Sequence, residues 1–428
     1  MSFTAQSFFY SWVIIIFAMK IKNRLLMVAL LSTMTLLILI GSIGAKRRKE
    51  GPEIKEDPTP AVNVMPDSFL GKLDDSYNVP EAVMKVIIDY MDAYYKSLYT
   101  LEVQDTSALF SNEMMADISD KAIRTILDHR KMFDFDFSLN AAHYDLKVFG
   151  FEHTGSSYKV SVYEDDHFTF KFLNGIESSA YDIDSYFTIA EKEGAYKIDD
   201  LVKYQGYYLA LYEGSENIAD VERKYDYYSS ELKDMFAYNE EVLKVKAASK
   251  PYSSAKTFRI PYDREAAVAY ADKYCHARNR EWYNFTDEGG NCQNYASQSL
   301  LAGGMQMDYS GDLQWKCYVE DPDYEPEING EETEYGRTRS WVGVDYFYNY
   351  ALNNEGYGLV CDVNANLYYA QPGDLIIVGN GSLSHTMIVS KIVDGHILVH
   401  SNSIDMKDYP LEGFTYLNVV LIKILGCN

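Results

Sequence analysis

The stretch NFTDEGGNCQNYASQSLLAGG at 284–304 puts one cysteine where it could act as a nucleophile. Gly289-Gly290 gives a flexible turn, and Asn291 is a residue type suited to a helix N-cap. Tyr295, Ala296, Leu300 and Leu301 then share one helical face, and Gly303-Gly304 stops the helix. Cys292 therefore falls in the first turn, beside backbone N–H groups that have no helical partner. That location favours a thiolate and is expected to draw the thiol below its free pKa of ~8.5. The thiolate is the form that attacks a carbonyl. A lone cysteine near a helix start also reads as a structural thiol, so the decision turns on whether a base accompanies it.

Three histidines follow Cys292: His385, His396 and His400. Pro372-Gly373-Asp374 opens a strand, NGSLS forms a loop, and His385 leads the run TMIVSKIV into Asp394-Gly395 before HILVHSNSI returns. Asp-Gly between two apolar runs signals a two-residue hairpin. If the pairing continues unbroken from Val393 opposite His396, then Met387 faces Asn402, Val389 faces His400 and His385 faces Ile404. Side chains alternate along a strand, so His385, Asn402 and His400 share a face, with Asn402 the diagonal neighbour of His385. This geometry makes His385 the base and Asn402 its orienter, with His400 as the alternative orienter. A one-residue slip would reverse the faces of one strand. No pair of His, Cys, Asp or Glu positions shows metal-ligand spacing with a matching second pair, so no metal is expected, and a thiol mechanism requires no cofactor.

The elements that must position these residues follow from periodicity. A chain of 428 residues exceeds one ordinary domain. Residues 1–18 carry the short apolar run FFYSWVIIIFAM and are a candidate start-codon extension, because Met19 opens a basic leader. Residues 19–45 are expected to be a transmembrane anchor or a signal peptide. The run at 25–45 has no charge and is long enough to span a ~30 Å hydrocarbon core, while Lys46-Arg47-Arg48-Lys49 opposes cleavage. Residues 46–78 read as a charged, Pro-bearing linker. In 79–212, helical spacing of Val83, Val86, Ile87, Tyr90, Met91 and Tyr94 gives way from 143 to a period of two. Five strands are expected there, in YDLKVFGFEH, SYKVSVYED, FTFKFLN, SYFTIAEKEG and AYKIDDLVKYQ. Helices followed by antiparallel strands make an α+β unit that resembles the cone-shaped, nuclear-transport-factor-like fold. Residues 213–255 read as a helical connector, and 256–428 as the unit holding Cys292.

Composition narrows the function classes. The formal net charge of −24 opposes binding to nucleic-acid phosphates. Eight acidic residues crowd the loop at 320–336, which is expected to be an exposed insertion. Besides Cys292, the cysteines are Cys275, Cys317, Cys361 and Cys427, without a C-x-x-C pair; two disulfides or four buried thiols both fit. Nothing in the sequence fixes an oligomeric state.

With these positions assigned, the region from about 258 to 428 resembles the putative amidase domain family of Gram-positive bacteria, related to the CHAP and NlpC-type papain-like peptidases. The resemblance is carried by YDREAAVAYADKY (262–274), the stretch at 284–304, SWVGVDYFYNYALNN (340–354), QPGDLIIV (371–378), SHTMIVSKI (384–392) and HSNSIDMKDYPL (400–411). It implies a papain-like α+β fold, a nucleophile at Cys292, a base at His385 and thiol attack on an amide, with cell-wall peptide as a candidate substrate. The chain departs from the family pattern at Asn291, where an acidic residue is common, at Ser384 in place of Gly, and at Ser401 in place of Thr. Trp341 is the candidate for lining a substrate cleft, although an aromatic packing the start of a helix is the ordinary reading.

The sequence as a whole reads as a membrane-tethered, single-pass, extracytoplasmic cysteine amidohydrolase or peptidase acting on a peptide or peptidoglycan-like substrate. The alternative is a non-catalytic envelope protein that binds peptide on the same fold.

Overall fold

The computed structural model describes residues 70–247, 252–310, 313–317, 337–416 and 418–428. A short strand β1 (Leu70–Asp74) precedes helix α1 (Glu81–Thr100), which buries Val83, Val86, Ile87, Tyr90 and Met91. Helix α1 ends where Leu101 turns left-handed, at φ 55°. Helix α2 (Glu113–Lys131) starts at Asn112, whose side chain accepts the Met114 N–H at 3.1 Å. It closes with Arg130 and Lys131 in its last turn, where positive charge suits the carbonyl end. Strands β2 (Leu139–Thr154), β3 (Ser157–Phe170), β4 (Glu177–Lys192) and β5 (Ala195–Lys203) form an antiparallel meander, with β1 parallel to β2. Helices α3 (Gly206–Tyr212) and α4 (Ile218–Ala247) follow.

Two expected strands, SYKVSVYED and FTFKFLN, are one continuous strand, β3. Glu164 and Asp166 point into the core at 0% and 3% exposure. Lys203 Nζ lies 2.9 Å from Glu164 Oε2, and the Tyr95 hydroxyl bonds both carboxyl groups. Burial, and then the nearby Glu164, push Asp166 well above the ordinary carboxylate range. Burial opposes the Lys203 charge, but Glu164 and the ring hydroxyls of Tyr94 and Tyr90 overcome it and hold the amine protonated. Local partners thus let polar residues run through a strand interior that composition alone would break.

The remaining elements are β6 (Ile260–Pro261), α5 (Arg264–Tyr274), α6 (Cys292–Ala302), α7 (Arg339–Val342) and α8 (Val344–Asn353), then six strands. These are β7 (Leu359–Ala365), β8 (Leu375–Gly379), β9 (His385–Val393), β10 (His396–Ser401), β11 (Met406–Pro410) and β12 (Asn418–Cys427). The helices cover one sheet face, where Tyr295, Leu300, Trp315 and Trp341 pack on Leu375, Ile377, Ile388 and Ile422. On the other face Ile376, Val378, Met387 and Val389 form a second cluster with Leu232, Leu411 and Tyr416.

All twelve described strands belong to one sheet, whose main path runs β1-β2-β3-β4-β11-β10-β9-β8-β12-β6. The two parts join where Met406 pairs with Ala180 and Lys407 with Ser179. The Ser178 hydroxyl reinforces this seam by donating to the Asp408 carbonyl at 2.7 Å.

The expected N-terminal transmembrane helix is corrected. Among the described residues no helix is long and apolar enough to cross a membrane. The long helices are amphipathic: α1 has Glu81, Lys85, Asp89, Asp92 and Lys96 on its sequence, and α4 is charge-rich throughout. The single-pass, cell-membrane placement built on that segment is withdrawn with it. The apolar run at 25–45, the 1–18 extension, most of the linker and the acidic loop at 320–336 lie outside the described residues.

The buried ion pair yields a stability prediction. Lys203→Met leaves Glu164 charged and unpaired, and is expected to cost about 3–5 kcal/mol in denaturant unfolding. Adding Glu164→Gln to that variant is expected to recover most of the loss.

Candidate active site

The turn into α6 is built from two glycines in the left-handed region, Gly289 at φ 107° and Gly290 at φ 113°. Asn291 departs from its expected role, because its side chain makes no cap hydrogen bond to the helix. Its carboxamide is engaged elsewhere. Oδ1 accepts the Phe285 N–H at 3.2 Å and Asn294 Nδ2 at 2.8 Å, and Nδ2 donates to Asn402 Oδ1 at 2.9 Å. The first-turn donors of α6 are consequently left for Cys292. The backbone N–H groups of Thr386, Gln293 and Cys292 itself lie near its sulfur and favour the thiolate.

Burial nevertheless dominates. Cys292 is 7% exposed, and desolvation pushes its thiol above the ordinary value despite the three N–H groups. This corrects the expectation of a lowered pKa: helix-start donors stabilise the thiolate, but they do so in a site closed to water. All five cysteines are free thiols.

The Thr386 N–H that favours the Cys292 thiolate belongs to the strand that begins with His385. The same residue's Oγ1 donates to Gln293 Oε1 at 2.7 Å, and Gln293 Nε2 donates to Ser297 Oγ at 3.2 Å. The Cys292 turn is thus held against the start of β9 through the Thr386–Gln293 side-chain link, which Ser297 braces from within α6.

His385 is buried, and its Nε2 lies 2.8 Å from Ser401 Oγ. Ser401 spends its own proton on the Ile404 carbonyl at 2.6 Å. The serine oxygen must then accept, so Nε2 carries the proton and Nδ1 keeps a free lone pair. Burial lowers the His385 pKa to about 4, which keeps the imidazole neutral at ordinary pH. The resting arrangement is a neutral thiol and a neutral base.

Ser401, rather than Asn402, contacts His385, and the reason is a β-bulge. The β9–β10 hairpin starts in the expected register, with His396 opposite Val393 and Leu398 opposite Lys391. It then shifts by one residue, with Val399 opposite Val389 and His400 opposite Ile388. Ser390 is the extra residue, and the slip exchanges the faces of everything beyond it. Asn402 becomes a structural tie: it accepts from Asn291 and donates to the Tyr274 carbonyl at 3.0 Å. His400 accepts the Asp408 N–H on Nδ1 at 3.2 Å, with Nε2 3.7 Å from Asp272, while His396 bonds Glu412 at 2.7 Å. Neither serves His385.

Trp341 is fully buried, stacked between Trp282 and Trp315 at centroid distances of 5.3 and 5.0 Å. Its indole N–H donates to Asn294 Oδ1 at 2.9 Å. The structure places it in the core behind the Cys292 turn, where it anchors the helix. A metal-compatible grouping that the sequence did not suggest lies apart from this site: Asp165, Asp182 and His276 offer ligand atoms within 4.8 Å of one another. These residues come from two strands and the end of α5, so no linear spacing could reveal them.

Residues 261–423 match the family described as a putative amidase domain. An uncharacterised protein of Bacillus subtilis (strain 168), YhbB, is 29% identical over 150 residues, which cover 34% of this chain and 43% of that protein. The chain therefore spans less than half the length of that relative. A solved structure described as a putative aromatic ring hydroxylase from Novosphingobium aromaticivorans is similar at 13% identity and a TM-score of 0.18, covering 29% of this chain and 95% of that one.

The site geometry separates the roles of neighbouring residues. Ser401→Ala frees the imidazole of His385 and is expected to slow Cys292-dependent turnover by up to the ~10²–10⁴-fold that a positioned general base contributes. Steady-state assays beside His385→Ala check this, with the two losses of the same order.

Proposed function

Because residues 261–423 belong to the putative amidase domain family, we propose that the chain is a hydrolase that cleaves an amide bond through Cys292. The observation that supports this reading is the convergence at the start of β9: the Cys292 sulfur lies near backbone N–H groups that favour its thiolate, among them that of Thr386, which follows a histidine whose tautomer leaves Nδ1 unprotonated. Cys292 Sγ attacks the carbonyl carbon while its proton passes to His385 Nδ1. The imidazolium then gives that proton to the departing amine. Water, activated by the same nitrogen, hydrolyses the thioester. Ser401 holds the ring throughout, accepting from Nε2–H. Peptide amides are the substrate class, with cell-wall peptide the first to screen.

The neutral resting state gives the mechanism its character. Proton removal accompanies attack instead of preceding it, so the base does its work in the transition state. Closure of the site to water strengthens each hydrogen bond on the developing charge. The same burial supports a second reading, in which the domain binds peptide without cleaving it.

Assays with the full chain and Cys292→Ala distinguish the two. Release of new amino groups from peptidoglycan fragments by wild type alone is the expected result. Equal binding of the fragments by both proteins, with no release by either, would establish the binding reading. For the enzyme, burial disfavours the His385 imidazolium, so the neutral base persists as pH falls and is lost only through about 4. The kcat/KM profile is expected to keep its activity down to that acid limb. Iodoacetamide labelling of Cys292 in the free protein is expected to climb through the alkaline range, with no plateau near neutrality, because burial raises its thiol.

A further inference from the structure

Tyr416 carries a polar group that the fold does not use. Its side chain is 1% exposed, and its hydroxyl has no hydrogen-bond partner among the described residues. Burying a phenol without a partner is unfavourable, and a native protein that keeps one invites a reason.

The sheet places this residue at the reacting end. Strands β10, β9, β8 and β12 are consecutive neighbours. His385 opens β9 opposite Val378, near the end of β8, and Asn418 opens β12 opposite Gly379. Tyr416 comes two residues before β12, and it packs in the cluster that holds Val378, Met387 and Val389. Alternation along β9 puts His385 on the same face as Met387 and Val389. The phenol ring is thus fixed on the His385 side of the sheet, its ring stacked with Phe414 at a centroid distance of 6.1 Å. Electrostatics agrees: burial first, and then the negative charge of a Cys292 thiolate, raise the proton affinity of Tyr416. The hydroxyl remains a donor across the working pH range.

Resting on the amide-cleaving reading above, we infer that the Tyr416 hydroxyl is a donor to the oxyanion formed at Cys292. As Sγ bonds to the carbonyl carbon, the thiol proton goes to His385 Nδ1 and the carbonyl π pair moves onto oxygen. The Tyr416 O–H then gains the partner it lacks at rest, without giving up its proton. When the oxygen pair returns to carbon, the bond to the leaving group breaks, and the leaving group takes the proton from His385. An interaction made only after attack is the kind that lowers the barrier without tightening ground-state binding.

Two electrophiles test this on the full chain. p-Nitrophenyl acetate acylates a thiol through a tetrahedral oxyanion, with the acetyl group transferred to sulfur and nitrophenolate released. Iodoacetamide alkylates by displacement of iodide and forms no oxyanion. Mass spectrometry, with Cys292→Ala as the background, locates each label. Tyr416→Phe keeps the ring and removes only the unpartnered hydroxyl, so its melting temperature is expected to equal or exceed that of wild type. The expected result is acylation of Cys292 slowed roughly 10²–10³-fold, the usual loss for one oxyanion donor, with alkylation unchanged. Unchanged rates for both reagents would overturn the assignment while leaving Cys292 as nucleophile. A parallel fall in both would also overturn it, since the hydroxyl would then act on the thiol itself. Wild-type Cys292 that is alkylated but never acylated would overturn the amide-cleaving reading, and this inference with it.

Discussion

Strand β9 is the element on which the candidate site depends, because it presents two different surfaces to two different layers. Thr386 and Ile388 face the helices, where Thr386 holds Gln293 and Ile388 enters the core with Tyr295 and Leu300. His385, Met387 and Val389 face the opposite layer. A sulfur from one layer and an imidazole from the other can meet only at the strand's end, where the chain no longer separates them. That is where Cys292 sits, near the Thr386 N–H. The extra residue at Ser390 then sets which side chain of β10 reaches the imidazole. With unbroken pairing the oriented ring would meet a carboxamide; with the bulge it meets a hydroxyl.

Cys292 and His385 were legible because their signals are local. A Gly-Gly turn before an apolar helical face locates one, and a loop leading into an alternating strand locates the other. The Asp-Gly turn correctly fixed the first pairs of the hairpin. Ser401 was not legible, because alternation counted outward from a turn carries no sign of a residue inserted farther along. Trp341 was ambiguous for another reason: an indole looks alike in a cleft or a core until the residues stacked on it, Trp282 and Trp315, are known. The Glu164-Asp165-Asp166 run gives no sign in sequence of which carboxyl groups are buried, because their partners Lys203 and Tyr95 come from separate elements. The anchor read from hydropathy does not coincide with any described helix, and those helices owe their apolar residues to amphipathic packing.

The two clusters of buried ionisable groups solve the same problem in opposite ways. Glu164 and Lys203 keep their charges by pairing at 2.9 Å. Cys292 and His385 are neutral at rest, because burial moves the thiol up and the imidazole down. A paired charge is stable and inert; a neutral acid and a neutral base kept apart from water hold their proton transfer in reserve. Asn402 contributes to that arrangement without contacting the imidazole, by joining the Cys292 turn to the end of α5.

The seam between β4 and β11 has a consequence for how the chain is made. Ser178 and Asp408 bond across 230 residues of sequence. The first meander therefore leaves the ribosome with the Ser179–Ala180 stretch of β4 lacking its neighbour, which is synthesised much later. During that interval β4 is a sheet edge with open N–H and C=O groups, the kind of surface that recruits stray strands. Closure of the edge and completion of the β10–β11 return are one event, so the candidate site matures only after β11 has been made.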